Sequence, residues 1–285
     1  MEKKIIWRGT LCGVVAGLLA FVFARIFAEP QIQKAIDYEE GRGAAQEKLD
    51  AAAGLAVHAH EHEVFTRTVQ ENLGIGVGIV LFGAAMGALF AVTYAYCLGR
   101  TGRVRPRQLS LLVAGFAFVG LYLVPFLKYP ANPPAIGNDD TSQVRGTLYL
   151  VMLLASVAFL IAAVWLGQRL AARYGAWNAT LIAGAAYVVV MGAIMVALPS
   201  LGELAVNRET FGDFATETPQ PLTAPDGTIV FPGFPADVLA AFRLYAVGAQ
   251  VILWATIGVL FAPMAERLLT PAPPSEAPAE EPLTV

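Results

Sequence analysis

The chain has 285 residues, is 56% hydrophobic and only 14% charged, and carries a net charge of −3. Its mean hydropathy is +0.59. Soluble domains carry about 25% charged residues, so a water-facing globule is excluded, and no basic stripe suggests a nucleic-acid partner. No G-x-x-x-x-G-K-[ST] occurs, so this chain does not bind ATP through a P-loop.

The charges are gathered in blocks, and between them lie apolar runs near the roughly 20 residues needed to cross a hydrocarbon core. In chain order six candidate spans fall at about 5–28, 73–98, 109–127, 147–167, 178–199 and 243–263. The first run follows "MEKK" like the front of a signal peptide. Its uninterrupted apolar core from Gly9 to Ala24 is long for a secretory signal, and "RIFAEPQ" offers no small-x-small cleavage site, so a retained span is expected. Gly9, Gly13 and Gly17 recur every four residues in this span. The second repeats the device with Gly74–Gly78 and Gly83–Gly87. Such spacing brings helix backbones close in lipid, either inside the bundle or against a partner helix. Cys12 and Cys97 fall inside spans and read as small buried apolar residues, not a disulfide framework.

The connectors orient the spans, because Lys and Arg in short loops stay on the cytoplasmic side. Lys3, Lys4 and Arg8 precede or open the first span. Arg100, Arg103, Arg105 and Arg107 lie between the second and third, and Arg169 and Arg173 between the fourth and fifth. Six crossings put all of them on one side. The acidic connectors at about 29–72 and 200–242, with the shorter 128–146, then face outward. Arg8, Arg25 and Arg243 stand near span ends, where a long side chain can snorkel to the headgroups. No Asp, Glu or His falls at mid-span as a proton relay. The tail "TPAPPSEAPAEEPLTV" is too rich in proline and glutamate to bury a core. The expected fold is an all-α integral membrane protein. It is a polytopic helix bundle over residues 1–268, with long external loops and a disordered cytoplasmic tail at 269–285.

Every histidine in the chain lies in "HAHEH": His58, His60 and His62, with Glu61 between them and Glu63 and Glu71 downstream. Neutral imidazole suits first-row divalent metals. On a helix His58, His62 and Glu61 share a face; on a strand the three imidazoles line one side. Either way at least two nitrogens converge and positions stay open, which suits reversible capture of a metal outside the membrane. The plain alternative is three solvated polar residues. The run also fits the H-x-x-E-H pattern of inverted zinc peptidases, with Glu61 as the catalytic base. That reading needs a third ligand and a walled cleft, and a polar connector supplies neither.

Downstream, "PFLKYPANPPAIGNDDTSQVR" places Pro130, Pro133 and Pro134 in a stiff segment ahead of Asn138, Asp139, Asp140 and Thr141. It serves as a turn between spans or as a rigid external mouth. Asp226–Gly227 signals a turn or hairpin, and the 200–242 connector is expected to fold back over the first.

Taken together, "HAHEHEVFTRTVQENLGIGVG", "LVPFLKYPANPPAIGNDDT", Arg145 and "FPADVLAAFRLYAVGAQVILWATIG" resemble the CbtA family of cobalt transporter subunits, over roughly residues 1–268. The resemblance implies a non-enzymatic subunit for Co2+ uptake in a bacterial inner membrane, associated with cobalamin metabolism. It also implies a very small single-span CbtB-type partner, and His58, His60 and His62 as the capturing positions. The metal would be cargo, not a permanently bound cofactor. Cobalt over nickel or zinc is implied by the resemblance alone, since imidazole and carboxylate do not separate these ions. The family is described with about five spans. On that count the first run is the one that does not cross. The rival reading without transport is a membrane metal sensor or partner anchor.

Overall fold

The computed structural model describes residues 2–55, 74–102, 104–134, 136–212 and 218–269. Among them five helical stretches are long and apolar enough to cross a membrane. We label them α1 (Glu2–Ala52), α2 (Ile75–Cys97), α3 (Pro106–Lys128), α4 (Ser142–Ala197) and, after the short α5 (Ala205–Phe211), α6 (Ala236–Leu269). The protein is an all-α polytopic membrane protein.

The five stretches supply six apolar helical segments, because α4 is a hairpin. Gly175 has φ 76° and ψ 160° in the middle of the element, a left-handed backbone that glycine adopts without a Cβ clash. Ser156 and Tyr187 are 31 positions apart, yet their side-chain oxygens are 2.8 Å apart. A continuous helix would separate them by about 46 Å. Gly167 likewise lies against Ala183. The arms, 142–174 and 176–197, cover the fourth and fifth expected spans.

Residues 29–52 are a correction to the expected outer loop. They continue α1 as helix for about 36 Å beyond the apolar run. The reason is local: "EPQIQKAIDYEEGRGAAQEKLDAA" is rich in Ala, Glu, Gln and Lys, all strong helix formers. Gln33 and Gln46 donate one turn onward to Asp37 and Asp50, both at 2.8 Å. Polarity here marks exit from the apolar run, not the end of helix. The extension stops at Gly54 (φ 73°), where the Leu55 N–H closes back on the Asp50 carbonyl at 2.9 Å.

Two π turns share one cause. Ala24–Ala28 in α1 and Phe118–Leu123 in α3 are followed by Glu29-Pro30 and Val124-Pro125. The Glu29 and Val124 N–H groups reach back five residues, to Ala24 and Val119. A proline has no N–H and its ring crowds the carbonyl four residues back, so the residue before it shifts to the wider turn.

Three apolar clusters organise the molecule. The largest joins α1, α2, α3 and α6 through Ile5, Cys12, Ala16, Phe90, Tyr94, Val113, Ile257 and Phe261. Aromatic edges seal it, with Phe90 and Tyr94 both T-shaped against Phe261 at 5.2 and 5.0 Å. The second joins the end of α3 to both arms of α4 through Val124, Tyr129, Met152, Tyr187 and Met191. The third lies beyond the apolar runs and joins Ala35 and Tyr38 of the α1 extension to Ile136, Phe231 and Phe234. There β1 (Leu222–Thr223) and β2 (Ile229–Phe231) pair antiparallel around Gly227, whose φ is 83°. The Asp226 carboxylate accepts from the Thr228 N–H at 3.0 Å, and this bond with the Thr228 hydroxyl holds it below its ordinary range. Large apolar side chains face outward along the spans, among them Val196, Val189 and Val188, as a lipid-facing surface requires.

Residues 270–285 lie outside the described residues. The expected boundary at 269 falls on the last helical residue of α6.

Candidate functional site

The helices gather two unlike ends. At one, α1 begins, α2 meets α3, the α4 hairpin turns and α6 finishes. This end carries Lys3, Lys4, Arg8, Arg100, Arg105, Arg107, Arg169 and Arg173. Arg8 donates to the Met264 carbonyl at 3.3 Å and Tyr94 to the Pro106 carbonyl at 3.2 Å, tying the helix ends together. Arg100 lies 4.9 Å over the Tyr96 ring and Arg169 4.1 Å over Trp165. Aromatic rings paired with cations are what a helix end at a headgroup layer presents.

The other end is a polar cap built on the proline segment. Tyr129 donates to the Pro199 carbonyl at 2.9 Å, closing the end of α3 onto the end of α4. Arg243, in the first turns of α6, reaches across with Nε on the Ala131 carbonyl at 3.2 Å and a terminal nitrogen on the Asn132 side chain at 2.8 Å. Gly137 (φ 153°) lies against the Arg145 guanidinium, which occupies the space a Cβ would need. The segment is therefore held by Arg243 of α6, and Arg145 of α4 packs against its far end at Gly137.

Asn138 and Thr141 downstream are spent on holding shape. The Asn138 side-chain oxygen accepts from the Asp140 N–H at 3.1 Å, and its carbonyl accepts from the Thr141 hydroxyl at 2.7 Å. Its amide nitrogen donates to Asn207 at 3.0 Å, and Asn207 donates in turn to the Leu201 carbonyl at 2.7 Å. Asn207 is fully buried, which is tolerable for an amide only when it is bonded. The Asn138–Thr141 turn is thus a structural clasp between the proline segment and α5.

The cap also binds the α1 extension. Tyr38 donates to the Pro232 carbonyl at 2.9 Å and packs on Phe231 and Phe234 at 5.4 and 5.1 Å. Gly41 leaves room for the Phe231 ring, which a Cβ would meet at 2.9 Å. Burial raises the Tyr38 hydroxyl above its ordinary value, and Arg42 partly offsets the effect. The hairpin of the 200–242 connector lies on the first connector.

His58, His60, His62 and Glu61, the expected metal positions, lie outside the described residues. So do Glu63 and Glu71. The described chain reaches Leu55, just past the stop of α1, and resumes at Gly74, at the start of α2 on the cap side. Among the described residues no group of three His, Cys, Asp or Glu could hold a metal ion. Sequence reasoning missed the grip of Arg243, which reads only as a cation near a span end. It also missed Asn207, whose burial has no local signal in the sequence.

A family model described as "Probable cobalt transporter subunit (CbtA)" matches residues 2–266. No curated protein matches the chain, and no solved structure does. The chain belongs to the CbtA family.

Proposed function

We propose that this subunit carries Co2+ inward across a bacterial inner membrane, with the cap end outside and the arginine end in the cytoplasm. Family membership supports cobalt as cargo. The gathering of Arg100, Arg105, Arg107, Arg169 and Arg173 at one end supports the orientation, because short connectors rich in arginine remain cytoplasmic. On that orientation Leu55 and Gly74, the described residues on either side of His58, His60, His62 and Glu61, lie at the outer end, and this reading takes the four residues as external. Two or three neutral imidazoles with a carboxylate bind a divalent ion reversibly, so this segment captures metal before it enters the bundle. The chain carries no P-loop, and the membrane potential supplies the drive. A divalent ion moving down about 100 mV gains about 4.6 kcal/mol, enough for ~10³-fold accumulation. The acid-rich connectors raise the local cation concentration at the entrance. The family description names a subunit, and a small single-span CbtB-type protein is the partner this reading takes.

The observation that carries the proposal is the family match over residues 2–266. Its test is cobalt uptake at limiting metal by cells producing the parent chain or a variant with His58, His60 and His62 all replaced by alanine. The parent should accumulate cobalt and the variant should lose most of that uptake. Equal uptake by both would remove the histidines from the mechanism. A parent that binds cobalt in sealed vesicles without flux would make the protein a receptor.

A further inference from the structure

Gln250 of α6 carries an amide into the hydrocarbon layer. It stands seven residues past Arg243, about 10 Å deeper along the axis, and the apolar run 243–263 continues well beyond it. Among the described residues its side chain makes no hydrogen bond. Gln250 is only partly buried, and it lines a groove of about 170 Å³.

The groove lies in the cap-side half of the largest cluster. Its walls include Gly78 and Phe82 of α2 and Gln250 and Leu253 of α6, and Ala20 of α1 is its floor. α1 holds both walls: its glycines pack on α2, and its Phe23 packs against Gly248 of α6. Toward the arginine end the same two walls are closed, with Phe90 and Tyr94 against Phe261. Gly78 and Phe82 stay exposed, so the groove is open to the membrane. A Cβ at Gly78 would meet nothing within 4 Å.

An amide left free in hydrocarbon is destabilising. An acyl chain would fill the groove and leave that amide free. A second copy joined by a two-fold axis would set the groove against itself, and two hollows do not fill each other. A convex helix meets both needs, because it occupies the hollow and one of its side chains bonds the amide. Close approach at a glycine and an interhelical hydrogen bond are how helices associate in lipid. The family description names a subunit, which implies other chains.

We propose that the groove between α2 and α6 seats a transmembrane helix of another subunit, which turns a hydrogen-bonding side chain onto Gln250. The choice of probe rests on the transport reading above: it is the small single-span subunit, tagged and produced together with this chain. A photoreactive p-benzoylphenylalanine replaces Phe82 or, as a control, Val188 of α4, which are 46% and 68% exposed. Irradiated cells should give a crosslink to the tagged subunit from the α2 position and not from the α4 position. Gly78→Leu should fill the groove, keep the thermal stability of the chain and abolish that crosslink. Gln250→Leu removes only the free amide. Purified alone it should melt no lower than the parent, while its affinity for the tagged subunit in detergent falls about threefold to thirtyfold, the range for one interhelical hydrogen bond in lipid. A crosslink from the α2 position to a second copy, from the α4 position alone, or from neither would overturn the proposal. So would parental affinity in Gln250→Leu, or a lower melting temperature, which would show the amide to be bonded within the chain. Cobalt uptake by the same cells is read in parallel. Absent uptake with the expected crosslink would overturn the transport reading and uphold the seat, and normal uptake without the crosslink would do the reverse.

Discussion

Gly13 of α1 and Gly87 of α2 face each other so closely that a Cβ built on either would come within 2.9 Å of the other's Cα. The contact repeats on both sides, Gly9 against Ala91 and Gly17 against Gly83, in an antiparallel register that falls by four on one helix as it rises by four on the other. In lipid there is little hydrophobic force between helices, so adhesion comes from close packing of small residues. What each added Cβ meets at Gly13 is backbone, which cannot swing aside.

A side chain at Gly13 should therefore force α1 and α2 apart. Gly13→Leu is expected to destabilise the protein by about 1–3 kcal/mol or more, the range for overpacking a tight site. Gly78 has the same spacing in sequence but nothing within 4 Å of its would-be Cβ, so Gly78→Leu should be tolerated. Thermal unfolding of both variants in detergent decides the matter. Equal melting temperatures would mean that the glycine register does not hold the two helices together.

Arg243 makes the second prediction. Its guanidinium serves two acceptors one residue apart, the Ala131 carbonyl and the Asn132 side chain, a fork geometry that a lysine ammonium does not match. Arg243→Lys should keep the charge near the headgroups yet free the proline segment, at a loss of about 1–2 kcal/mol. Backbone amides of 131–140 should exchange hydrogen faster in the variant while those of α2 stay unchanged. Uniform exchange in the two proteins would show that the segment is rigid through its prolines alone.

Much of this architecture was legible from residues, and the reasons are physical. Apolar runs report the bilayer directly, so the spans and the hairpin at Gly175 follow from where the charges fall. The glycine spacing announced close helix contact but not the partner. Gly83–Gly87 is used inside the chain and Gly78 is not, because contact depends on which face is turned inward. The 29–52 segment misled because polar and non-helical are different properties, and Gln46–Asp50 supports helix while being fully polar. The grips of Arg243 and Asn207 were out of reach, since each joins positions more than 60 residues apart. The histidine run is conspicuous in composition alone, and it lies outside the described residues.

The orientation makes the third prediction. Short connectors at the arginine end, such as the turn at Gly175 just after Arg169 and Arg173, are rich in cations and poor in acids. The cap end mixes its cations with many carboxylates inside long connectors. Topology follows the cations of short loops near span ends and is little influenced by acids, so the proposed orientation puts the arginine end inside. In a chain with Cys12 and Cys97 replaced by alanine, single cysteines at Asp226 and Ala172 sample the two ends, since both positions are exposed. A membrane-impermeant thiol reagent added to intact spheroplasts should label the Asp226→Cys protein and spare the Ala172→Cys protein, and lysis should make both reactive. The reverse pattern would place the cap, and with it the chain between Leu55 and Gly74, in the cytoplasm, where the histidines could release or sense cobalt but could not capture it from outside.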